Sequence, residues 1–146
     1  MVPNQILTSG AVVCRKKSSG EYAWLLVKLS EEEGWEIPKV AVRKGESSVR
    51  ASIRMMGEQG GMNARVIEEA GRFNSAATVN DRVIPKRLLY YLMIQKSGGE
   101  IVGFKESSWF ESAKAQKKLQ QKRERDVLKE AKVLLKEWLK KTKPSD

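Results

Sequence analysis

The chain contains no histidine and a single cysteine in 146 residues. Zinc sites draw on several His or Cys ligands, so the usual zinc centres are excluded. Histidine bases and histidine-activated nucleophiles are excluded with them. The lone Cys14 rules out an intrachain disulfide. Set in the apolar run AVVC, it reads as a small buried hydrophobe rather than a nucleophile. Metal chemistry is left with a hard cation on oxygen ligands, and proton transfer with a carboxylate, a lysine or metal-bound water. No apolar run approaches the roughly 18 residues that cross a bilayer, and the start of the chain lacks a basic-then-apolar leader. No membrane association is expected, and the cytoplasm is the expected location. Internal repeats, a P-loop and a dinucleotide-binding glycine pattern are also missing.

Positive charge is abundant. The formal net charge is +10, and the segment from Lys114 to Asp146 holds 12 Lys or Arg against five Asp or Glu. Such a surface attracts polyanions, whether nucleotides, RNA or an acidic partner. It is equally consistent with a solvated helix face.

The patterning alternates strands with a few helices. LTSGAVVCRK (7–16) and YAWLLVKL (22–29) read as a hairpin around the turn KSSGE, with Gly10 marking a bulge or a close backbone approach. SEEEG (30–34) is a loop and VAVR (40–43) a short strand. Ser47 or Ser48 caps a helix that closes at Gly60-Gly61. ARVIEE (64–69) reads as a strand, FNSAATVNDRVIP (73–85) as a loop with at most a short strand, and KRLLYYLMIQK (86–96) as a central strand. EIVGFKESSWF (100–110) carries one more strand and ESAKAQKKL a short helix. Residues 124–141 form an amphipathic helix whose stripe is Val127, Leu128, Ala131, Leu134, Leu135, Trp138 and Leu139. That stripe is expected to pack on the sheet, with Trp138 among its main anchors. Residues 143–146 are expected to be a frayed tail. A single domain over 1–142 follows: an α/β/α sandwich with a mixed β-sheet and flanking helices.

The densest cluster of chemistry-bearing residues is WEIPKVAVRKGESSVRASIRMMGEQGG (35–61). Glu46, Arg54, Glu58 and Gly61 sit at the spacing of the box of the Nudix hydrolases, a family the chain resembles over nearly its whole length. The box runs Gly, five residues, Glu, seven residues, Arg-Glu, two residues, Glu-Glu, one residue, Gly. Val40 stands at its first glycine, Met55 at the glutamate after the arginine, and Gln59 at the second of the paired glutamates. Trp35, Pro38, Lys39, Gly45 and Trp109-Phe110 are similar to the branch that handles dinucleoside polyphosphates. A second register ending in RVIEEAG fails at Arg50, Met56 and Ala64.

The resemblance implies the Nudix fold and a MutT-like, magnesium-dependent diphosphohydrolase acting on nucleoside diphosphate-linked or dinucleoside polyphosphate substrates. It implies Glu58, Glu46 and Arg54 as catalytic residues, with Met55 and Gln59 at positions of lost carboxylates. Metal ligation would fall to Glu58, with Gln59, Glu100 or Glu106 as further oxygen donors. The expected site is therefore degenerate: magnesium weakly held or brought by the substrate, manganese as a substitute, and turnover low or absent. No zinc, haem or nicotinamide cofactor is expected. Glu46 and Arg54 also make sense as a purely structural ion pair. Glu68 and Glu69, adjacent in a strand, can send at most one carboxylate inward. Lys39, Arg43 and Lys44 are the candidate phosphate contacts, and Trp35, Tyr90 or Tyr91 could stack on a base. Two other readings stay open: a non-catalytic module binding a nucleotide or RNA, and an interaction protein acting through its basic C-terminal helix. Monomer and homodimer are both open.

Overall fold

The computed structural model describes residues 4–142, so the tail expected over 143–146 lies outside the described residues. Among the described residues, six strands and three helices follow in the order β1 (Ile6–Lys16), β2 (Tyr22–Lys28), β3 (Lys39–Ala41), α1 (Ser48–Glu58), β4 (Met62–Val79), β5 (Arg82–Gly98), β6 (Glu106–Glu111), α2 (Ser112–Lys118) and α3 (Lys122–Thr142). The sheet order is β4-β5-β1-β2-β6, with β3 beside the first half of β1. β1 and β5 run parallel and the other pairs antiparallel, so the sheet is mixed.

The strict period of a strand sends successive residues of β1 to opposite faces. Val12 and Cys14 join Trp24, Leu26, Tyr90 and Leu92 under Val127, Leu128, Ala131 and Leu135 of α3. Ala11 and Val13 join Leu25, Val27, Tyr91 and Met93 under Met55 and Met56 of α1. Helices thus cover both faces, giving the α/β/α sandwich that the patterning predicted. Burial pushes the Cys14 thiol up to about 12, in keeping with a packing role. Gly10 marks a close approach: a Cβ there would lie 2.5 Å from Cδ1 of Tyr90.

The stretch 73–85 corrects the sequence reading. It is no loop but the far half of the β4–β5 hairpin, closed by a two-residue turn at Asn80 and Asp81, both with positive φ. Most of this half is open to solvent, so no alternation of apolar and polar residues betrays it. Its turn also lacks the Asn-Gly signal that usually marks such hairpins. The last strand is shorter than expected, because residues 100–105 form a loop and pairing begins at Glu106.

α3 begins two residues before the expected position. It buries Leu128 fully and Leu135 almost fully, whereas Trp138 is only partly buried, with the Arg65 guanidinium 5.7 Å from its ring. Leu128→Ala should lower the unfolding free energy by about 2–5 kcal/mol, and Trp138→Ala by less than Leu128→Ala. Urea denaturation of the two variants beside the native chain checks the order; a larger loss at Trp138 would mean that the two residues have exchanged roles.

Candidate functional site

The turn before α1 is built around one carboxylate. Gly45 takes a φ of +78°, a conformation that glycine adopts freely, and Ser47 caps the helix by accepting a hydrogen bond from the Arg50 N–H at 3.1 Å. Between them, Glu46 receives Nε and Nη2 of Arg54 at 2.8 and 2.9 Å and the Arg43 N–H at 3.1 Å. Arg54 Nη2 also donates to the Ala41 carbonyl at 3.2 Å. This paired fork is the strong form of a guanidinium–carboxylate contact. The Arg54 hydrogen bonds, helped by the Arg43 N–H, hold the Glu46 carboxyl down to about 2. Glu46 in turn raises the Arg54 guanidinium above its ordinary value.

The remaining box positions diverge along the helix. Glu58 is exposed and stands 3.8 Å from Arg54 and 3.9 Å from Arg43. Met55 is fully buried against the sheet among Ala11, Leu25, Val27 and Met93, so it forms no part of a polar cleft. Gln59 is half-buried under the loop 99–105: its carbonyl accepts the Gly103 N–H at 3.0 Å, and a Cβ on Gly103 would meet the Gln59 side chain at 2.4 Å. The loop also sets the backbone carbonyl of Glu100 against Gly61. Glu100 is exposed, and Glu106 lies 4.0 Å from Lys28 at the start of β6. Glu68 and Glu69 both face solvent, beside two irregularities in the β4 register. Among the described residues, no group of three or more His, Cys, Asp or Glu side chains is placed to hold a metal ion.

Of the three candidate phosphate contacts, Arg43 and Lys44 are exposed on the turn. Lys39 is tied down: its Nζ donates to the Ile37 carbonyl at 2.8 Å and to Glu124 Oε2 at 2.6 Å, and lies 3.0 Å from Glu36. The sequence reading missed Glu124. Its side chain is 1 % exposed, and it also accepts the Ile37 N–H at 3.0 Å and the Tyr90 hydroxyl at 2.6 Å. The signal was available, since Glu124 precedes Val127, Leu128 and Ala131 by three, four and seven residues and so lies on the apolar stripe. Tyr90 and Tyr91 are core residues, and Trp35 meets Phe110 edge-on at 5.0 Å.

Beside this network lies a cavity of about 320 Å³ that the sequence did not suggest. Lys86 and Arg123 bring it positive charge, while Phe73, Leu88, Thr8 and the paired Lys39 supply much of the rest of its lining. The Arg123 guanidinium sits 5.4 Å from the Phe73 ring and donates from Nη2 to Gln121 at 3.1 Å. Its Nε is buried without a hydrogen-bond partner. Lys86 and Phe73 escaped notice because they border the misread hairpin, and Arg123 because it lies in a run of charges.

No protein-family model matches the chain, and no curated protein sequence does so. Solved structures do. An Ap4A hydrolase of C. elegans in a binary complex superposes with a TM-score of 0.69 at 20% identity, covering 90% of this chain and 98% of the hydrolase. A mutT/nudix family protein from Listeria innocua gives 0.65 at 20% identity over 97% and 100% of the two chains. A Nudix hydrolase from M. smegmatis gives 0.66 at 12% over 89% and 86%. At these identities the likeness shows the fold: the mixed sheet with its loop, helix and flanking α3 is the Nudix fold.

Proposed function

We propose that the protein binds a nucleotide or related polyphosphate on a Nudix scaffold and hydrolyses it slowly or not at all. The cavity of Lys86, Arg123 and Phe73 carries this reading. The Arg123 guanidinium lines the cavity and can offer an anionic oxygen charge-assisted hydrogen bonds. The aromatic wall suits a planar base, and Lys86 adds a second charge. Lys39, neutralised by Glu36 and Glu124, acts as a brace rather than a phosphate contact. The same chemistry accepts a free nucleotide or the phosphorylated end of an RNA.

The donor set of α1 supports the second half of the reading. Magnesium wants near-octahedral oxygen ligation, and manganese shares that preference for oxygen donors. Glu58 is the one carboxylate on the box face, and two guanidinium groups already flank it. Met55 offers a buried thioether, which a hard cation has little use for, and Gln59 a neutral amide under a loop. These residues do not fit a metal held by the protein. Glu46 and Arg54 are read as a structural brace between the turn and the helix.

The resemblance to an Ap4A hydrolase makes Ap4A and ATP the first ligands to try. Calorimetry should detect both with and without magnesium, and Arg123→Ala or Lys86→Ala should weaken binding about tenfold or more. Unchanged affinity in Arg123→Ala would defeat the assignment of the cavity. Product release with magnesium or manganese should stay below the roughly 1–1,000 per second of ordinary enzymes. Met55→Glu combined with Gln59→Glu would place a carboxylate in the core and should lower stability by about 3–5 kcal/mol, measured by denaturant unfolding, rather than create an active site.

The brace has a pH signature. The folded-state value of Glu46 lies below its ordinary one, so its contribution is complete above about pH 4.5 and is lost as pH falls towards 2. Glu46→Gln should therefore lower Tm most above about pH 5, and the gap to the native chain should close towards pH 2. A gap that does not narrow on acidification would show that the ionised pair contributes nothing.

A further inference from the structure

Among the described residues, the hairpin that the sequence concealed has one edge with none of the usual protection against strand pairing. Among the described residues β4 pairs with β5 alone, leaving its outer edge open. Such an edge points the N–H and C=O of every second residue outward. Its first half is blunted by register shifts at Asn63/Ala64, Val66/Glu68 and Glu69/Gly71, whereas pairing runs unbroken from Gly71 opposite Tyr90 to Val79 opposite Arg82. β1 accompanies β5 only as far as Ile6 opposite Lys86, so among the described residues the hairpin beyond that point is a two-stranded ribbon. The two edges of the ribbon differ. β5 carries Pro85, which has no N–H to offer, together with Arg82 and Lys86. β4 presents Phe73-Asn74-Ser75-Ala76-Ala77-Thr78-Val79, seven residues without charge, proline or bulge. That is the composition from which strand addition proceeds most readily.

We propose that this edge pairs antiparallel with the same edge of a second copy, making a two-fold dimer centred on Ala76. An antiparallel pair of identical strands is related by an axis normal to the sheet, which keeps each residue on its own face. The axis must then pass through a residue opposite its own mate. Ala76 is the centre that uses the whole uncharged segment: Phe73 meets Val79, Asn74 meets Thr78, and Ser75 meets Ala77. No like charges face each other within it. At both ends Arg72 of one copy arrives at the Asn80-Asp81 turn of the other, which matches opposite charges twice. Arg72 is exposed and holds Glu69 of its own chain through one Nη2 contact at 2.8 Å, leaving further guanidinium donors to reach across. The axis also sets the basic cavities of both copies on one side of a continuous sheet. Seven residues per copy fall short of a standard interface, so the dimer is reversible and depends on concentration.

Sedimentation velocity of the full chain from about 1 µM to about 1 mM should show a monomer–dimer equilibrium. Hydrogen exchange should show protection of the amides in 73–79 growing with concentration. Ala76→Lys sets two lysines against each other at the axis and should leave a folded monomer throughout; Thr78→Lys, at another exposed position, should do the same and guards against misfolding of the first variant. Asp81→Asn keeps a residue that tolerates the turn conformation and should weaken the dimer about two- to tenfold. A native chain that stays monomeric overturns the proposal, as does a dimer that persists in both lysine variants. Protection that appears only when a single-stranded oligonucleotide is added to monomeric chain would assign the edge a different occupant and overturn it equally.

Discussion

The buried carboxylate of Glu124 is the point at which three separate parts of the chain are joined. One oxygen accepts the backbone N–H of Ile37, ahead of β3; the other accepts the hydroxyl of Tyr90, in the middle of β5, and the ammonium of Lys39. A carboxylate taken out of water is expensive unless a charge and further hydrogen bonds replace the lost solvent, and here both do. The network fixes the first turn of α3 against the sheet, and with it the position of Arg123, the next residue back. The basic cavity therefore inherits its geometry from the ion pair of Lys39 and Glu124 beside it.

The Glu46–Arg54 fork plays a corresponding part on the other face. It holds the turn 41–46 to the body of α1, while the buried hydroxyls of Ser9 and Ser52 meet beneath the start of the helix, Ser9 donating to the Ser48 backbone carbonyl and Ser52 lying within reach of the Gly10 carbonyl. The helix is thus secured at its beginning by polar contacts, along its length by Met55 and Met56, and at its end by the loop 99–105. This scaffold keeps the shape of the Nudix fold. Methionine at position 55 contributes to the core; a carboxylate there could not.

The layered architecture was legible because a sheet covered on both faces leaves strong marks: the run LLYYLMI, the branched and aromatic residues of β2, and the stripe of α3. The box residues were legible by spacing, and the fork between Glu46 and Arg54 was among the pairings that this spacing allowed. What escaped is equally physical. The ribbon 73–85 has little burial to pattern it. The cavity is assembled from β1, β3, β4, β5 and α3, positions that no local window relates. Met55 could be seen as a missing ligand, but only the packing reveals that it has become a core residue. Trp138 fell the other way, since its place in the stripe suggested more burial than the end of α3 provides.

Cys14 lies at the centre of the sheet, beside β5 and close to the Met93 carbonyl, and it is the only thiol in the chain. Burial suppresses its ionisation, and the thiolate is the reactive form. A thiol reagent can therefore reach it only when the central strands separate, an event whose free energy approaches that of global unfolding. The chain thus carries an intrinsic clock for its own opening: the rate at which Cys14 becomes labelled reports how often the middle of the sheet comes apart, without any substitution to introduce a reactive site.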